Sequence, residues 1–430
     1  MVMVTTGSAP AKQGSSGGQT YRAALAMVTT LFFFWGFVTV LNDILVPHLK
    51  SIFDLNYTKV MLIQFAFFSA YFIFSIPSAK VIDTIGYKKT MVAGLVTMGV
   101  GAFLFIPAAS APSFALFLGA LMVLAAGITA LQVAANAYVS VLGPPETASS
   151  RLNLTQAFNS LGTTIGPYLG GLFILNANAS SSETMQKMSA DALQAYRIHE
   201  ASSVKLPYTI IGIALIAFAV LIGMFKLPPM PEAERHGQHG PGTSILKYTH
   251  LVLGMIGIFV YVGAEVSIGS FLINYLSQPE IGNMSEMMAA KYVAYYWGGA
   301  MVGRFVGSAL LQKIKTGTLL GIFGLVAAML VCTTMLATGA VAMWSVILVG
   351  FFNSIMFPSI FTLGIAKLGP LTGDGSGLMI MAIVGGAILP VVQGAIADRV
   401  GIHHAFILPV ICYLYIVYYA FRGSRPVVPA

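Results

Sequence analysis

The chain has 430 residues, of which 57% are hydrophobic and 8% are charged, and its formal net charge is +8. Soluble domains carry about 25% charged residues, so this composition excludes a soluble domain and indicates a membrane protein. The Lys and Arg residues are spread along the predicted loops, which is typical of membrane topology signals rather than of a nucleic-acid-binding patch.

The apolar stretches of the sequence predict an all-α membrane protein with twelve transmembrane helices. A hydrocarbon core of ~30 Å needs ~20 apolar residues per helix. Suitable stretches lie at 22–50, 57–82, 88–108, 112–142, 151–174, 206–226, 248–278, 286–310, 317–338, 341–368, 375–397 and 402–422. Before them, residues 1–20 are rich in Gly, Ser and Thr, and we expect a disordered N-terminal tail there.

A polar segment rich in Pro, Glu and His, 227–247, divides the predicted helices into six and six. We expect a six-helix bundle at 21–226, a cytoplasmic linker at 227–247 and a second six-helix bundle at 248–424. Lys and Arg favour cytoplasmic loops and therefore indicate the orientation. With the N-terminus inside, the inner segments hold fourteen of these residues and the outer segments seven, so both termini are predicted to be cytoplasmic.

Two acids, Asp43 and Glu265, fall in the middle of long apolar stretches, at similar places in the two halves. A charge near the bilayer centre costs at least ~2.5 kcal/mol on insertion scales, so an intramembrane acid indicates a functional site. Asn136 and Asn353 likewise lie in the fourth and tenth predicted helices. Such repetition is typical of two bundles related by an axis along the membrane normal, with a binding site between them at the membrane midplane.

Six segments, in order along the chain, resemble one known family. They read FFFWGFVTVLNDILVPHLKSIF, LQVAANAYVSVLGP, RLNLTQAFNSLGTTIGP, GAEVSIGSFLINYL, AYYWGGAMVGRFVGS and FFNSIMFPSIFTLGIAKLG. From about residue 25 to 420 the chain resembles the fucose:proton symporter family of the major facilitator superfamily. Gln132 and the GAEVSIGSF segment resemble its bacterial glucose/galactose transporter branch. The resemblance implies a sugar:cation symporter of the bacterial inner membrane that works by alternating access.

Two motifs carry the residue roles that the resemblance implies. The first-helix motif NDIL contains Asp43, to which the resemblance assigns proton coupling. The fourth-helix motif of the fucose members, LETAANP, reads LQVAANA here, so Gln132 replaces a glutamate and Ala137 a proline. Gln132 can bond a sugar hydroxyl but cannot titrate. The expected coupling residues are therefore Asp43 and Glu265, and the coupling ion is H+ or Na+, with sodium placed near Asp43; no cofactor or further metal is expected.

The uncharged polar residues inside the predicted helices suit a sugar. Sugar hydroxyls both donate and accept hydrogen bonds, so their site needs amides and carboxylates beside an aromatic face. Gln132 and Asn136 share one helix face, as do Gln156 and Asn159. The expected substrate-binding residues are Asn42, Gln132, Asn136, Gln156, Asn159, Glu265, Asn274, Trp297 and Asn353, with Trp35, Tyr292, Tyr295 and Tyr296 as further stacking candidates. Alternatively, the amides join helices by hydrogen bonds and the aromatics form an interface belt.

Three residues are candidates for gating. Asp83 and Lys88 lie in the loop after the second predicted helix, where the superfamily has a gating motif, and Arg304 lies inside the eighth predicted helix. The loop residues are equally explained as topology signals. Arg304 is alternatively a structural partner for Glu265, and the sequence leaves both questions open.

Glucose and galactose are the expected substrates, and two alternatives keep the same fold. One is import of fucose or N-acetylglucosamine, and the other is a multidrug exporter, although an amide-rich cavity does not favour lipophilic drugs. An intramembrane enzyme is not favoured, because no predicted helix shows a Ser/His pair, a His/Glu metal motif or paired aspartates. The expected partners are a small-molecule sugar and the lipid bilayer, with no nucleic acid, and the chain is expected to be a monomer.

Overall fold

The structure is a computed structural model that describes residues 15–53, 57–110, 113–174, 204–230 and 244–426, with six single positions between 188 and 202. Side chains are described for 21–40, 63, 65–110, 113–166, 204–230, 244–285 and 287–426, and at those six positions. Every regular element in the described part of the chain is helical. The predicted all-α class is therefore confirmed.

The described part of the chain contains fourteen α-helices. They are α1 (Ser15–Phe53), α2 (Tyr57–Ser110), α3 (Phe114–Val141), α4 (Ala148–Ile174), α5 (Lys205–Met224), α6 (Thr249–Leu276), α7 (Glu286–Leu310), α8 (Thr316–Leu336), α9 (Gly339–Asn353), α10 (Met356–Gly364), α11 (Thr372–Met381), α12 (Gly385–Val400), α13 (Ile402–Ala405) and α14 (Ile407–Tyr418). A π-helical turn, Tyr419–Gly423, continues α14.

All twelve predicted segments are helical, but helix and segment do not correspond one to one. α2 contains two of the segments, joined at Gly86, whose φ of 79° and ψ of 167° bend the chain where a side chain would be strained. The last three segments are each interrupted and form the pairs α9 and α10, α11 and α12, and α13 and α14. Among the described residues, nine stretches are long and apolar enough to cross a membrane, so a count of twelve crossings stays a prediction.

The predicted boundaries between tail, bundles and linker also stay predictions. α1 begins at Ser15, inside the segment 1–20 that the sequence assigns to a tail, and residues 1–14 lie outside the described part. Residues 231–243 of the linker likewise lie outside it.

Two other helices, α4 and α7, are long enough to cross a membrane. Their described residues are not among the nine apolar stretches. α4 carries Arg151, Asn153 and Gln156, and α7 carries Arg304. The two helices pack against each other, and the Asn153 side chain donates a 2.7 Å hydrogen bond to the backbone oxygen of Arg304. Polar residues in membrane helices face protein rather than lipid because lipid offers them no hydrogen bonds. The polar helices therefore meet where the two halves of the chain meet.

Glycines allow the closest helix contacts within each half. A Cβ atom on Gly36 of α1 would stand 2.1 Å from the backbone oxygen of Asn159 on α4. In the second half, a Cβ atom on Gly350 of α9 would stand 2.1 Å from the backbone oxygen of Tyr296 on α7. Small residues of this kind let membrane helices approach closely. The spacing of these helix pairs therefore depends on the absence of a side chain.

The two halves touch at the end of the molecule where α2 bends at Gly86 and α4 begins, which we call the closed end. The Ser150 hydroxyl donates to the backbone oxygen of Ser308 at 2.7 Å. In return, the Ser308 hydroxyl donates to the backbone oxygen of Ser150 at 3.0 Å. The hydroxyls of Ser149 and Thr362 lie 2.5 Å apart. These contacts join α4 of the first half to α7 and α10 of the second.

We expect Gly36→Ala to destabilise the protein by about 1–3 kcal/mol, the usual cost of overpacking, because the added methyl group would collide with α4. Thermal unfolding in detergent, followed by intrinsic fluorescence, would measure the change. Gly119→Ala on α3 is the matched control, since a Cβ atom there meets nothing within 4 Å. Equal melting temperatures for the two variants would contradict the close packing of α1 and α4.

Cysteines replacing Ser150 and Ser308 are expected to form a disulfide under mild oxidation, because the two hydroxyl oxygens lie 3.3 Å apart. A protease site inserted in the linker 227–247 would allow the halves to be cut apart. The halves should then migrate together on a gel without reductant and separately with it.

Single-cysteine variants, which keep the free Cys332 and Cys412, are the controls for this cross-link. Halves that separate without reductant in the double variant would show that the closed end is not formed.

Candidate functional site

A cavity lies between the two halves of the chain and is lined by residues of both. The lining residues are Trp35, Gln132, Gln156, Tyr261, Val262, Glu265, Arg304, Phe357, Pro358 and Ile383. Its volume is about 130 Å³, close to the ~150 Å³ of an engineered cavity that holds one benzene molecule. The cavity therefore offers space on the scale of one six-membered ring.

The first half contributes two glutamines and a tryptophan. Gln132 on α3 donates from Nε2 to the Tyr71 hydroxyl at 2.7 Å. Gln156 on α4 donates from Nε2 to Oδ1 of Asn136 at 3.3 Å. Each bond uses one amide N–H and fixes the plane of the amide, while each amide oxygen accepts no hydrogen bond from a described side chain or backbone. An amide held in this way can both accept from a ligand hydroxyl and donate to it.

The second half contributes a carboxylate and a guanidinium. Glu265 on α6 accepts a 2.8 Å hydrogen bond from the Tyr261 hydroxyl one turn earlier. Arg304 on α7 donates through Nη1 to the Ser160 hydroxyl on α4 and so reaches across to the first half. The arginine Nε is buried and has no partner among the described residues.

Glu265 and Arg304 share the cavity without a direct ion pair. Among the described residues, no carboxylate oxygen lies within ion-pair distance of the Arg304 guanidinium, although the charges of Arg304 and Glu265 interact. A carboxylate and a guanidinium in a membrane protein attract each other strongly because the surroundings screen little. The two charged groups therefore line the same cavity without bonding to each other, and both keep polar atoms that can bond to a ligand.

Four of the predicted site residues line this cavity: Gln132, Gln156, Glu265 and Arg304. The stacking candidate Trp35 also lines it and is 6% exposed. Trp35 provides an aromatic surface on the α1 side. Predicted polar residues from four different helices thus come together at one cavity.

Three other predicted residues are not among the lining residues and bond to neighbouring helices. Asn136 is fully buried and accepts the Gln156 bond. Asn159 donates to the backbone oxygen of Phe32 at 3.0 Å and joins α4 to α1. Asn353 is fully buried, accepts from Tyr413 and donates to Tyr296, each at 2.8 Å. These amides support the wall and join helices, as the alternative interpretation of the sequence expects.

Two predicted residues lie elsewhere. Asn274 is exposed near the last turn of α6. Trp297 is 44% exposed and lies edge-on to Tyr296, with ring centroids 5.1 Å apart. The stacking candidates Tyr292 and Tyr295 cluster with the exposed Trp344. The structure does not bring these side chains to the cavity.

Two predicted site residues of α1 stay predictions. The side chains of Asn42 and Asp43 lie outside the described residues, so cation coupling at Asp43, including a sodium site, stays a prediction. Lys88 donates from Nζ to the backbone oxygen of Gly223 at 2.8 Å and so caps the end of α5. Oδ1 of Asp83 lies 3.5 Å from where a Cβ atom on Gly373 would stand, which places Asp83 against the second half at the closed end.

Several lining residues were not predicted from the sequence. Tyr261 precedes Glu265 by four residues and therefore shares its helix face, a spacing that would have identified it. Phe357, Pro358 and Ile383 carry no polar signal and read as ordinary helix residues. The described residues contain no group of three His, Cys, Asp or Glu side chains arranged to hold a metal ion.

Comparison with known proteins agrees with this geometry. The Major Facilitator Superfamily family model matches residues 24–388. The glucose/galactose transporter of Brucella abortus is 51% identical over 97% of this chain and 98% of its own length. The L-fucose-proton symporter of Escherichia coli is 35% identical over 94% of both chains. A crystal structure of FucP in the outward conformation superposes with a TM-score of 0.87 at 34% identity, covering 93% of this chain and 98% of the other.

The helical structure, with its cavity between two halves, agrees with the matched family model. This chain is a member of the major facilitator superfamily. Within that superfamily it belongs to the fucose:proton symporter family, as the six sequence segments indicated.

Proposed function

We propose that the protein is a cation-coupled symporter that imports a hexose such as glucose or galactose by alternating access. The observation that carries the proposal is the shared cavity, where two fixed glutamine amides of the first half face a carboxylate and a guanidinium of the second. The proposal further places the protein in the bacterial inner membrane as a multi-pass monomer with both termini in the cytoplasm.

The chemistry of the cavity suits a neutral sugar. Gln132 and Gln156 each offer an acceptor oxygen, Glu265 offers acceptors, and Arg304 offers donors, so a ring of hydroxyls meets both kinds of partner. Trp35 and Phe357 supply apolar surface for the C–H face of the ring. Glu265 and Arg304 carry opposite charges, so the described part of the cavity has no net charge to favour an ionic ligand.

The names of the relatives support a sugar as the cargo. Proteins described as glucose/galactose transporters match over nearly their whole length, at 51% identity for the one from Brucella abortus and 44% for the putative one from Helicobacter pylori. The more distant relatives are described as L-fucose-proton symporters. Glucose or galactose is therefore the first choice of substrate, and fucose or N-acetylglucosamine the second.

The closed end supports alternating access. The halves are joined there by hydroxyl contacts such as Ser150 with Ser308, and the cavity lies beyond them. In the orientation predicted from Lys and Arg, the closed end faces the cytoplasm and the cavity serves the outside. The likeness to FucP in the outward conformation supports the same assignment.

Coupling follows from the cost of burying charge. Asp43 and Glu265 are the two acids in the middle of long apolar stretches, and an unpaired carboxylate is expensive to remove from water. A bound proton or sodium ion removes that cost, so closure around the sugar requires the cation. Arg304 then acts as a gate residue, since it joins α7 to Ser160 of the opposite half.

Sugar binding is expected to change the fluorescence of Trp35, which lines the cavity. The chain has three tryptophans, so Trp297→Phe with Trp344→Phe leaves Trp35 as the only one. Titration of this double variant with glucose and galactose should retain the signal of the wild type, and Trp35→Phe should lose it. A signal that survives Trp35→Phe and disappears from the double variant would place the sugar elsewhere.

The experiment that tests the function is uptake of radiolabelled glucose into proteoliposomes under an imposed pH gradient and, separately, an imposed sodium gradient. We expect one gradient to drive accumulation. Asp43→Asn should equilibrate the sugar but not concentrate it, because the variant cannot bind the coupling ion.

Asp398→Asn, at an exposed position near the end of α12, is the matched control and should accumulate sugar normally. Full accumulation by Asp43→Asn would remove Asp43 from coupling. Efflux of cationic dyes without any sugar uptake would favour an exporter instead.

A further inference from the structure

The Tyr261 hydroxyl has more acceptors than protons to donate. Its oxygen lies 2.8 Å from Oε1 of Glu265 and 3.1 Å from the backbone oxygen of Asn353. A phenol carries one donor proton and can also accept a hydrogen bond. Tyr261 is 1% exposed, so bulk water does not replace either bond. The carboxylate and the carbonyl therefore compete for one proton.

The protonation state of Glu265 determines which acceptor receives that proton. An ionised carboxylate only accepts, and hydrogen bonds to charged groups are stronger than those between neutral groups. Ionised Glu265 therefore takes the bond from Tyr261. A protonated Glu265 is itself a donor and can donate to the Tyr261 oxygen, which leaves the Tyr261 proton to the Asn353 carbonyl.

We propose that Tyr261 is a positioning residue that switches its hydrogen bond between Glu265 and the Asn353 carbonyl and so transmits protonation of Glu265 to the helix α9. The inference rests on the proposed function and adds to it that the coupling ion at Glu265 is a proton.

The side chain of Asn353 is already bonded, so its backbone carbonyl is the group that responds to Tyr261. The side chain donates to the Tyr296 hydroxyl on α7 and accepts from the Tyr413 hydroxyl on α14, each at 2.8 Å. It is fully buried. Asn353 is the last residue of α9, and carbonyl groups at a helix end need partners from outside the helix. The Tyr261 proton is one such partner.

The chain beyond Asn353 connects this carbonyl to both the cavity and the closed end. α9 ends there and α10 begins at Met356. Phe357 and Pro358 of α10 line the cavity, and the hydroxyl of Thr362 lies 2.5 Å from that of Ser149. A hydrogen bond gained or lost at Asn353 therefore acts on the segment that forms part of the cavity wall and closes one end.

The groups facing Glu265 come from three helices. They are Tyr261 on its own helix, Arg304 and Tyr296 on α7, and Tyr413 on α14, all of which interact electrostatically with it. An ordinary tyrosine titrates near pH ~10 and an arginine above ~12. An ordinary glutamate titrates below both, so among these described groups Glu265 is the first to take up a proton as the pH falls from about 9.

The test is sugar exchange across proteoliposomes with equal pH on both sides, measured from pH 5 to 9 for the wild type and Tyr261→Phe. We expect the pH midpoint of exchange to rise by about one unit in the variant, because ionised Glu265 loses a donor and the protonated form persists to higher pH. Tyr275→Phe is the matched control, since this buried tyrosine of α6 donates instead to the backbone oxygen of Thr334. Its midpoint should equal that of the wild type.

Making Tyr261→Phe in a Glu265→Gln variant distinguishes the proposed hydrogen-bond switch from a general loss of structure. Glu265→Gln cannot titrate, so adding Tyr261→Phe to it should not move the remaining pH dependence, whereas a general structural defect would act in both backgrounds. Melting temperatures of all five proteins, including the Tyr275→Phe control, would accompany the exchange assays.

Equal midpoints for the wild type and Tyr261→Phe would overturn the inference, as would wild-type exchange that does not depend on pH. In both cases accumulation of sugar by the wild type would leave the proposed function intact. A wild type that exchanges no sugar would instead overturn the proposed function, and the inference with it.

Discussion

Charges inside a membrane need polar partners, and the arrangement of the two halves follows from that need. Glu265 and Arg304 each lie on a membrane helix, where lipid offers neither hydrogen bonds nor counter-charge. Each is directed towards the boundary between the halves. Glu265 bonds to Tyr261 of its own helix and Arg304 to Ser160 of the opposite half. Both therefore line the cavity between the halves.

The same need explains why the polar residues of α4 and α7 lie where these two helices meet. α4 and α7 pack against each other, and their polar residues satisfy one another across the interface. Glycines then set the distances within each half, as Gly36 does between α1 and α4. Close backbone packing thus joins the helices of each half, and polar contacts between α4 and α7 help to join one half to the other.

Small hydroxyl side chains bond the two halves together at the closed end, beside close packing of α2 against α11. Ser150 with Ser308, and Ser149 with Thr362, form short hydrogen bonds between the halves. Hydrogen bonds between membrane helices contribute about 0.6 kcal/mol each on average. A few such bonds stabilise closure without making it permanent, which suits a protein whose proposed function requires this end to open.

The sequence by itself determined the helical membrane class, the family, and the polar residues Gln132, Gln156, Glu265 and Arg304, because polar groups in apolar stretches are rare and costly. The tertiary structure alone decided which amides reach the cavity. Asn136, Asn159 and Asn353 carry the same chemistry as Gln132 and Gln156, yet they bond to neighbouring helices and do not line the cavity. Nothing in the sequence indicated that apolar residues such as Phe357 line the cavity. Side-chain direction depends on helix rotation and packing across long separations, which local spacing does not encode.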